Sequence, residues 1–341
     1  MRASIGVGIL GIVGVLLALG ALPAAAESTL DTVRKRGHLN CGINGALPGF
    51  SWRASWGWTG LDVDMCRAVA AAVLGDASKV EYTPLTTRDR FADLQAGKVD
   101  LLARNSTVTL QRDAGANIEI AAVNFYGGQA FAVPRKAGIT MPSELATSKI
   151  CVVKGTTHET NLTNWFGARR YHIEVMPFDD AEAMYEAFFG SRCVGMTRDA
   201  SVLAAVLASR NRQADYVVLP QTISREPLGL FVRGGDNRWS DVVRWSFHAM
   251  LAAEELNLNR NTVVGERQSP DPDVRQLLGT TPGNGQALGL EEDWAYNIIR
   301  QVGNYGESFD RNLGARSSFN LDRGANALWT KGGLMYPLPM R

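Results

Sequence analysis

Three short stretches of this 341-residue chain put charged and hydrogen-bonding side chains where a small zwitterion can be gripped. The first is Arg104-Asn105-Ser106-Thr107-Val108-Thr109, followed by Arg112. A guanidinium presents a planar fork of donors that matches a carboxylate bidentately. The second is Lys154-Gly155-Thr156-Thr157-His158-Glu159, where a Gly turn opens onto a helix whose free N–H groups suit an anion. The third is Arg198-Asp199, whose acid can hold an ammonium group. Each has a plainer use. Arg112 can pair with Asp113 or Asp89 on the surface, and Thr156 or Asp199 can simply cap a helix. Together they supply a cation and N–H groups for a carboxylate and an acid for an ammonium, with Phe50, Trp52 and Trp58 as apolar walls or as core. The sequence shows no CxxC, no His cluster and no Ser/His/Asp or paired-carboxylate constellation, so neither a metal, a cofactor nor a catalytic residue is expected.

The elements that must carry these stretches alternate. Ser28 caps a helix ended by Gly37, and strands follow at 39–43, 80–83 and 99–103. Between them lie helices at 61–74, stopped by Gly75, and at 88–95, with Thr87 as its expected cap. The Arg104–Asp113 stretch is expected to open the next helix, with Arg112 within about its first turn. This βαβαβ order predicts a mostly parallel sheet flanked by helices, with ligands beyond the strands' carboxyl ends. A second series begins near residue 149, with strands at 150–153, 172–176, 193–197 and 216–219. Its helices are expected at 158–166, from the cap Asp179 to Phe189, and at 200–210. After residue 225 the pattern is helical, strongest at 239–255, with 279–289 reading as a loop. Two extended joints, Phe125-Tyr126-Gly127-Gly128-Gln129-Ala130-Phe131 and Ile223-Ser224-Arg225-Glu226-Pro227-Leu228-Gly229, read as crossings between lobes. They predict an α/β protein of two lobes with a ligand cleft between them. Residues 27–128 begin lobe 1, 129–224 form lobe 2, and 225–341 complete lobe 1 with a helical extension.

Residues 5–26 carry no charge, follow Arg2 and end in Leu22-Pro23-Ala24-Ala25-Ala26, which predicts a signal peptide cleaved before Glu27. The alternative is an uncleaved anchor. Gly6-Val7-Gly8-Ile9-Leu10-Gly11 matches a dinucleotide-binding pattern but lies inside this signal with no strand–turn–helix around it. The net charge of +1 argues against a nucleic-acid partner. Four cysteines, Cys41, Cys66, Cys151 and Cys193, suggest two disulfides in an exported chain. Three pairings are possible. Spacing favours Cys41–Cys66 and Cys151–Cys193, each within one lobe.

At this point the motifs resemble a family. Gly57-Trp58-Thr59-Gly60-Leu61-Asp62-Val63-Asp64-Met65-Cys66, the Arg104–Asp113 stretch and Lys154–Glu159 are similar to those of type 2 periplasmic binding proteins, family 3, for polar amino acids. The joints at Asn124–Gln129 and Arg225–Gly229, together with Gly303-Asn304-Tyr305-Gly306-Glu307 and Gly332-Gly333-Leu334, resemble the general L-amino-acid-binding branch. The resemblance covers the whole mature chain. It implies a monomeric periplasmic protein that closes on a free L-amino acid and delivers it to an ABC transporter permease. It further implies that Arg112 grips the α-carboxylate, helped by Thr107 and the backbone at Thr156 and Thr157. Asp199 then holds the α-ammonium with Asn105 beside it, and Trp58 and Phe50 wall the side-chain pocket.

Departures from the family pattern bear on specificity. Basic-amino-acid binders of the family carry an acid where Asn44 stands and an aromatic where Leu47 stands, so a dedicated Lys/Arg receptor is not expected. Many relatives have Asp-Val-Tyr at Val194-Gly195-Met196. Arg104 either selects acidic side chains or serves a salt bridge. Broad selection of polar, neutral or acidic amino acids is expected. The competing reading is a periplasmic lyase on the same fold, similar to cyclohexadienyl dehydratases, with His158, His172 or Glu159 as acid–base candidates.

Overall fold

The computed structural model describes residue 3 and residues 28–115 and 117–340. Apart from residue 3, the expected signal peptide thus lies outside the described residues. Among these, no helix is long and apolar enough to cross a membrane.

The chain enters through α1 (Thr29–Arg36), capped by Ser28 and ended by Gly37 in the left-handed region. Strand β1 (Leu39–Ile43) leads to a small three-stranded antiparallel sheet, β2 (Ala46–Leu47), β3 (Ser51–Ala54) and β4 (Gly57–Thr59). Helix α2 (Leu61–Leu74) follows. Its N-cap, Gly60, has φ +134°, and a Cβ there would stand 2.1 Å from the Phe50 carbonyl oxygen. Glycine is required for that approach, which seats Asp62 and Asp64 in the first turn of α2. Next come β5 (Val80–Pro84), α3 (Arg90–Gln95), β6 (Leu101–Thr107) and α4 (Leu110–Gly115).

The second series is β8 (Lys149–Val153), α5 (Thr157–Ala168), β9 (Glu174–Phe178), α6 (Ala181–Phe189), β10 (Gly195–Asp199), α7 (Ala200–Ser209) and β11 (Tyr216–Val218). Two long strands join the series: β7 (Ile118–Pro134) and β12 (Ser224–Arg233). Strand order in the large sheet is β5-β1-β6-β12-β7-β10-β8-β9, with β11 beside β7. The sets β5-β1-β6 and β10-β8-β9 are parallel, whereas β12 and β7 run antiparallel to each other and to their flanks. Both glycine-bearing joints lie within this ribbon, where Ser224 pairs Gln129 and Leu228 pairs Phe125.

A separate apolar cluster of Phe131, Val133, Ile150, Val152, Leu162 and Phe166 fills one face of the second set. Cys41 is bonded to Cys66, tying β1 to α2, and Cys151 is bonded to Cys193, tying β8 to the turn before β10.

The C-terminal part contributes α8 (Asn237–Glu255), α9 (Val263–Glu266), α10 (Pro272–Leu277), α11 (Asn284–Leu288), α12 (Trp294–Gln301) and α13 (Tyr305–Asn312). It is built into the first set: Trp239 Nε1 donates to the Asp100 carbonyl, and the Tyr305 hydroxyl to that of Asn124. Further on, the Asn326 side chain accepts from the Tyr126 N–H at 2.7 Å and donates to its carbonyl at 3.0 Å.

Four local expectations are corrected. The strand expected to end at Ala103 runs on to Thr107 as β6, because Leu228 and Gly229 of β12 pair with Thr107 and Ser106, and α4 then opens within the Arg104–Asp113 stretch with Arg112 in it. The β12 partner lies about 120 residues away, so local pattern could not supply it. Thr87 caps nothing; Asp89 is the N-cap of α3 and is held by the Thr86 hydroxyl. Asp180, not Asp179, caps α6 by accepting from the Ala183 N–H. Residues 279–289 include α11.

Candidate functional site

The carboxyl ends of β6 and β10, the start of α5 and the middle of the β7–β12 ribbon converge on one buried polar group. Glu226 is its hub. Carboxylates are almost never fully buried unless paired, and Glu226, 1% exposed, is surrounded by donors. Its Oε2 accepts from Thr107 Oγ1 at 2.6 Å and Thr157 Oγ1 at 2.9 Å. Its Oε1 accepts from Ser224 Oγ at 2.6 Å and Asn161 Nδ2 at 2.7 Å. Four donors on one carboxylate fix its place.

Asp199 is the opposite case. It ends β10, is fully buried, and neither carboxylate oxygen finds a hydrogen-bond donor among the described residues. It sits at the N-cap position of α7 but makes no capping bond, so capping does not explain it. His158 Nε2 lies 3.5 Å from its Oδ1 and is itself buried and without a hydrogen bond among the described residues. A buried carboxylate with bare oxygens is costly and calls for a cationic occupant. Atoms of His158, Asp199 and Glu226 all lie within 4.8 Å of one another, a set that suits an ammonium group and, by its chemistry, also a metal ion. Buried Gln129 holds the His158 backbone carbonyl and the Thr197 hydroxyl with its Nε2.

On the other side of the ribbon, Asn105 has φ +39°, in the left-handed region where Asn is tolerated best after Gly. Its N–H donates to Asp62 Oδ2 at 3.0 Å, and its side-chain oxygen accepts from Asn44 Nδ2 at 3.2 Å. Burial pushes the Asp62 carboxyl up to about 7, against the opposing effects of the Asn124 and Asn105 hydrogen bonds and the Arg104 charge. Arg112 donates from Nη1 to the Thr107 carbonyl at 2.6 Å and lies over the Phe91 ring. It makes no ion pair with Asp113 or Asp89; the latter pairs with Arg88. Burial lowers the Arg112 proton affinity, and the Glu226 charge restores part of it.

Thr156 caps α5, accepting from the Glu159 N–H and donating to the Val153 carbonyl. The structure therefore brings together Thr107, Thr157, Asp199 and, through Thr107, Arg112. Asn105 and Asn44 form a second group anchored on Asp62. Phe50 is fully buried edge-on against Phe125. Trp58 lies against Tyr82 and under Arg53. It lines a cavity of about 710 Å³ with Asp64, Arg67, Arg300 and Arg311, which none of the Glu226 cluster borders. Glu226 itself was missed as a site residue, although an acid directly before the apolar run Pro227–Val232 of β12 was a readable signal.

The bacterial extracellular solute-binding proteins, family 3, match residues 39–266. A putative amino-acid ABC transporter-binding protein of Escherichia coli K12 is 44% identical, over 96% of this chain and 96% of its own. The glutamate/glutamine/aspartate/asparagine-binding protein of Rhodobacter capsulatus is 47% identical, over 95% of this chain and 97% of its own. The solved structure of a periplasmic binding protein of an ABC transporter from Brucella ovis, with glutathione bound, superposes with a TM-score of 0.90 at 44% identity. That match covers 92% of this chain and 99% of the Brucella chain.

Proposed function

This chain belongs to the bacterial extracellular solute-binding proteins of family 3, and from that premise we propose that it captures free L-amino acids and delivers them to an ABC importer. It is a binding protein, not an enzyme. The observation that carries the ligand reading is Asp199: a buried acid with two bare oxygens beside Glu226 and His158.

In this reading the α-ammonium enters that acceptor pocket and becomes the partner of Asp199. The α-carboxylate meets the Arg112 guanidinium, the Thr107 hydroxyl and the N–H groups that open α5 at Thr157. Asn105 and Asn44, fixed by Asp62, face the remainder of the ligand. Closure removes water from these pairs, so each is stronger than its surface counterpart. Residues 27–128 with 225–341 form one lobe and 129–224 the other, and the β7–β12 ribbon is the hinge. The relatives' transporter names support a periplasmic location and a permease partner, and the chain acts as a monomer.

Calorimetric titration of the purified chain with individual L-amino acids tests the reading. Saturable binding of polar or acidic amino acids is the expected result; absence of binding by any of the twenty would refute it.

A further inference from the structure

The cavity beside Trp58 is separate from the Glu226 cluster, and its wall is rich in arginine. Arg67 of α2, Arg260 in the turn after α8, Arg300 in the last turn of α12 and Arg311 of α13 border it. A second cavity of about 400 Å³ shares Arg260, Arg300 and Arg311 and adds Arg316. The two make one basin with guanidinium groups from several elements. The acids bordering it are Asp64, Asp76 and Glu307, so five arginines face three carboxylates.

Those acids are already occupied. Asp64 Oδ2 accepts from Arg311 Nε at 3.0 Å and Nη2 at 2.7 Å, from Ser308 Oγ at 2.7 Å and from Asn312 Nδ2 at 2.6 Å. Glu307 Oε2 accepts from the backbone N–H groups of Asn304 and Arg260. Asp76 Oδ1 accepts from the backbone N–H and the hydroxyl of Ser78. Among the described residues, the guanidinium groups of Arg260, Arg300 and Arg316 make no hydrogen bond or ion pair. Gln301, next to Arg300, donates to the Gly75 carbonyl at 2.9 Å and accepts from the Ala77 N–H at 2.8 Å. The end of α12 is thereby pinned to the end of α2, which holds Arg300 over the basin.

Tyr82 of β5 gives an independent sign. Its hydroxyl, on the wall of the larger cavity, is buried and has no hydrogen-bond partner among the described residues. Burial pushes it up to about 12, so at neutral pH it is a donor without an acceptor. A buried donor left unsatisfied is costly, and an anion in the basin would satisfy it.

A carboxylate is flat, and one or two forks cover it. A tetrahedral phosphate offers oxygens in every direction and takes forks from several sides. The larger cavity, at about 710 Å³, has the size of a small-molecule site, with room for more than one phosphoryl group. We propose that this basin is a second ligand site, apart from the amino-acid cleft, and that Arg260, Arg300, Arg311 and Tyr82 bind a polyanion of the phosphate class: pyrophosphate or a diphosphate ester. The site stands whether or not the cleft takes amino acids.

Calorimetry of the full chain with pyrophosphate tests it. One saturable site is expected, unaffected by a saturating L-amino acid. Arg260→Gln and Arg300→Gln, both at exposed positions, are each expected to weaken it at least about 10-fold, and Tyr82→Phe at least about 3-fold. Arg135→Gln, at an exposed position after β7 and outside the basin, is expected to leave the affinity unchanged. Citrate, with carboxylates in place of phosphoryl groups, is expected to bind at least about 10-fold more weakly. Equal losses in all three arginine variants would mean diffuse attraction and overturn the proposal. Equal affinity for citrate, or displacement by an L-amino acid, would overturn it too. Sedimentation with phosphatidylglycerol vesicles separates the sources of the phosphate. Vesicle binding that is lost in Arg300→Gln makes it a lipid headgroup, and pyrophosphate binding alone makes it a soluble diphosphate. Binding of neither sinks the proposal.

Discussion

Thr107 ends β6 and Thr157 opens α5, 50 residues apart in sequence, yet their hydroxyl oxygens stand 3.2 Å apart and both face Glu226 Oε2. One carboxylate on the ribbon thereby holds a residue from each side of it. Asp199, a few ångströms away, holds no one. The saturated acid ties these elements together, and the bare one is the ammonium partner we propose. Substitutions at the two should therefore act in opposite directions on the empty protein.

Asp199→Asn alters a buried carboxylate that accepts no hydrogen bond among the described residues. Amino-acid binding should weaken by about 2–5 kcal/mol, the usual cost of deleting one partner of a buried charged pair. The melting temperature of the unliganded protein should hold or rise. Calorimetry and thermal unfolding on the same sample check both halves; a clear fall in melting temperature would make Asp199 structural.

Glu226→Gln faces four donors with only one carbonyl oxygen. At least one buried donor then loses its acceptor, at roughly 1–3 kcal/mol each, more where charge assistance is lost. The unliganded melting temperature should drop by several degrees, and binding should weaken too. Differential scanning calorimetry reads the first effect directly.

Asp62 gives a pH signature. Its folded value of about 7 exceeds the ordinary 3.8, so the folded state takes up a proton that the unfolded chain releases. That contribution to stability is complete below about pH 4 and is lost as pH rises through 7. It amounts to a few kcal/mol at most. Wild-type stability should therefore decline between about pH 5 and 8 by more than that of Asp62→Asn, in denaturant titrations at each pH. Parallel curves for the two proteins would show that Asp62 does not hold its proton.

The Cys151–Cys193 bond closes a stretch of 42 residues through α5 and α6. Replacing both cysteines by serine should cost about 2–5 kcal/mol. Chemical unfolding with and without reductant checks this, with the double variant insensitive to reductant at that bond.

His158, Asp199 and Glu226 would also suit a divalent cation, so removing metal is informative. If an ammonium is the occupant, treatment with a chelator leaves amino-acid affinity unchanged. A chelator-sensitive affinity, restored by adding back a divalent metal, would reassign the pocket.

Elements with strong local signals were legible from sequence. Ser28 and Gly37 bracket α1, Gly75 stops α2, and β1 falls at Leu39–Ile43, because caps and short apolar runs act through neighbours a few residues apart. The Asn105–Thr107 strand was not legible, since β12 imposes it from far along the chain. Asp179 and Asp180 are chemically alike, and only the end of β9 at Phe178 decides which one caps. Glu226 was visible as a letter but not as a hub; Ser224 is its near neighbour, but its other donors come from the end of β6 and the first turns of α5, far away in the sequence. Phe50 and Trp58 were expected as pocket walls, and the structure encloses one in core and turns the other towards Tyr82.

The Asn326 amide spans both backbone groups of Tyr126, and Tyr126 belongs to β7, a strand of the ribbon proposed above as the hinge. The last stretch of the chain is thus a splint rather than a tail. Clipping it off would strip Tyr126 of those two backbone bonds and, if the ribbon is the hinge, loosen the segment on which the lobes turn. Shortened versions made for crystallisation or biosensing would report the mechanics of a different spring.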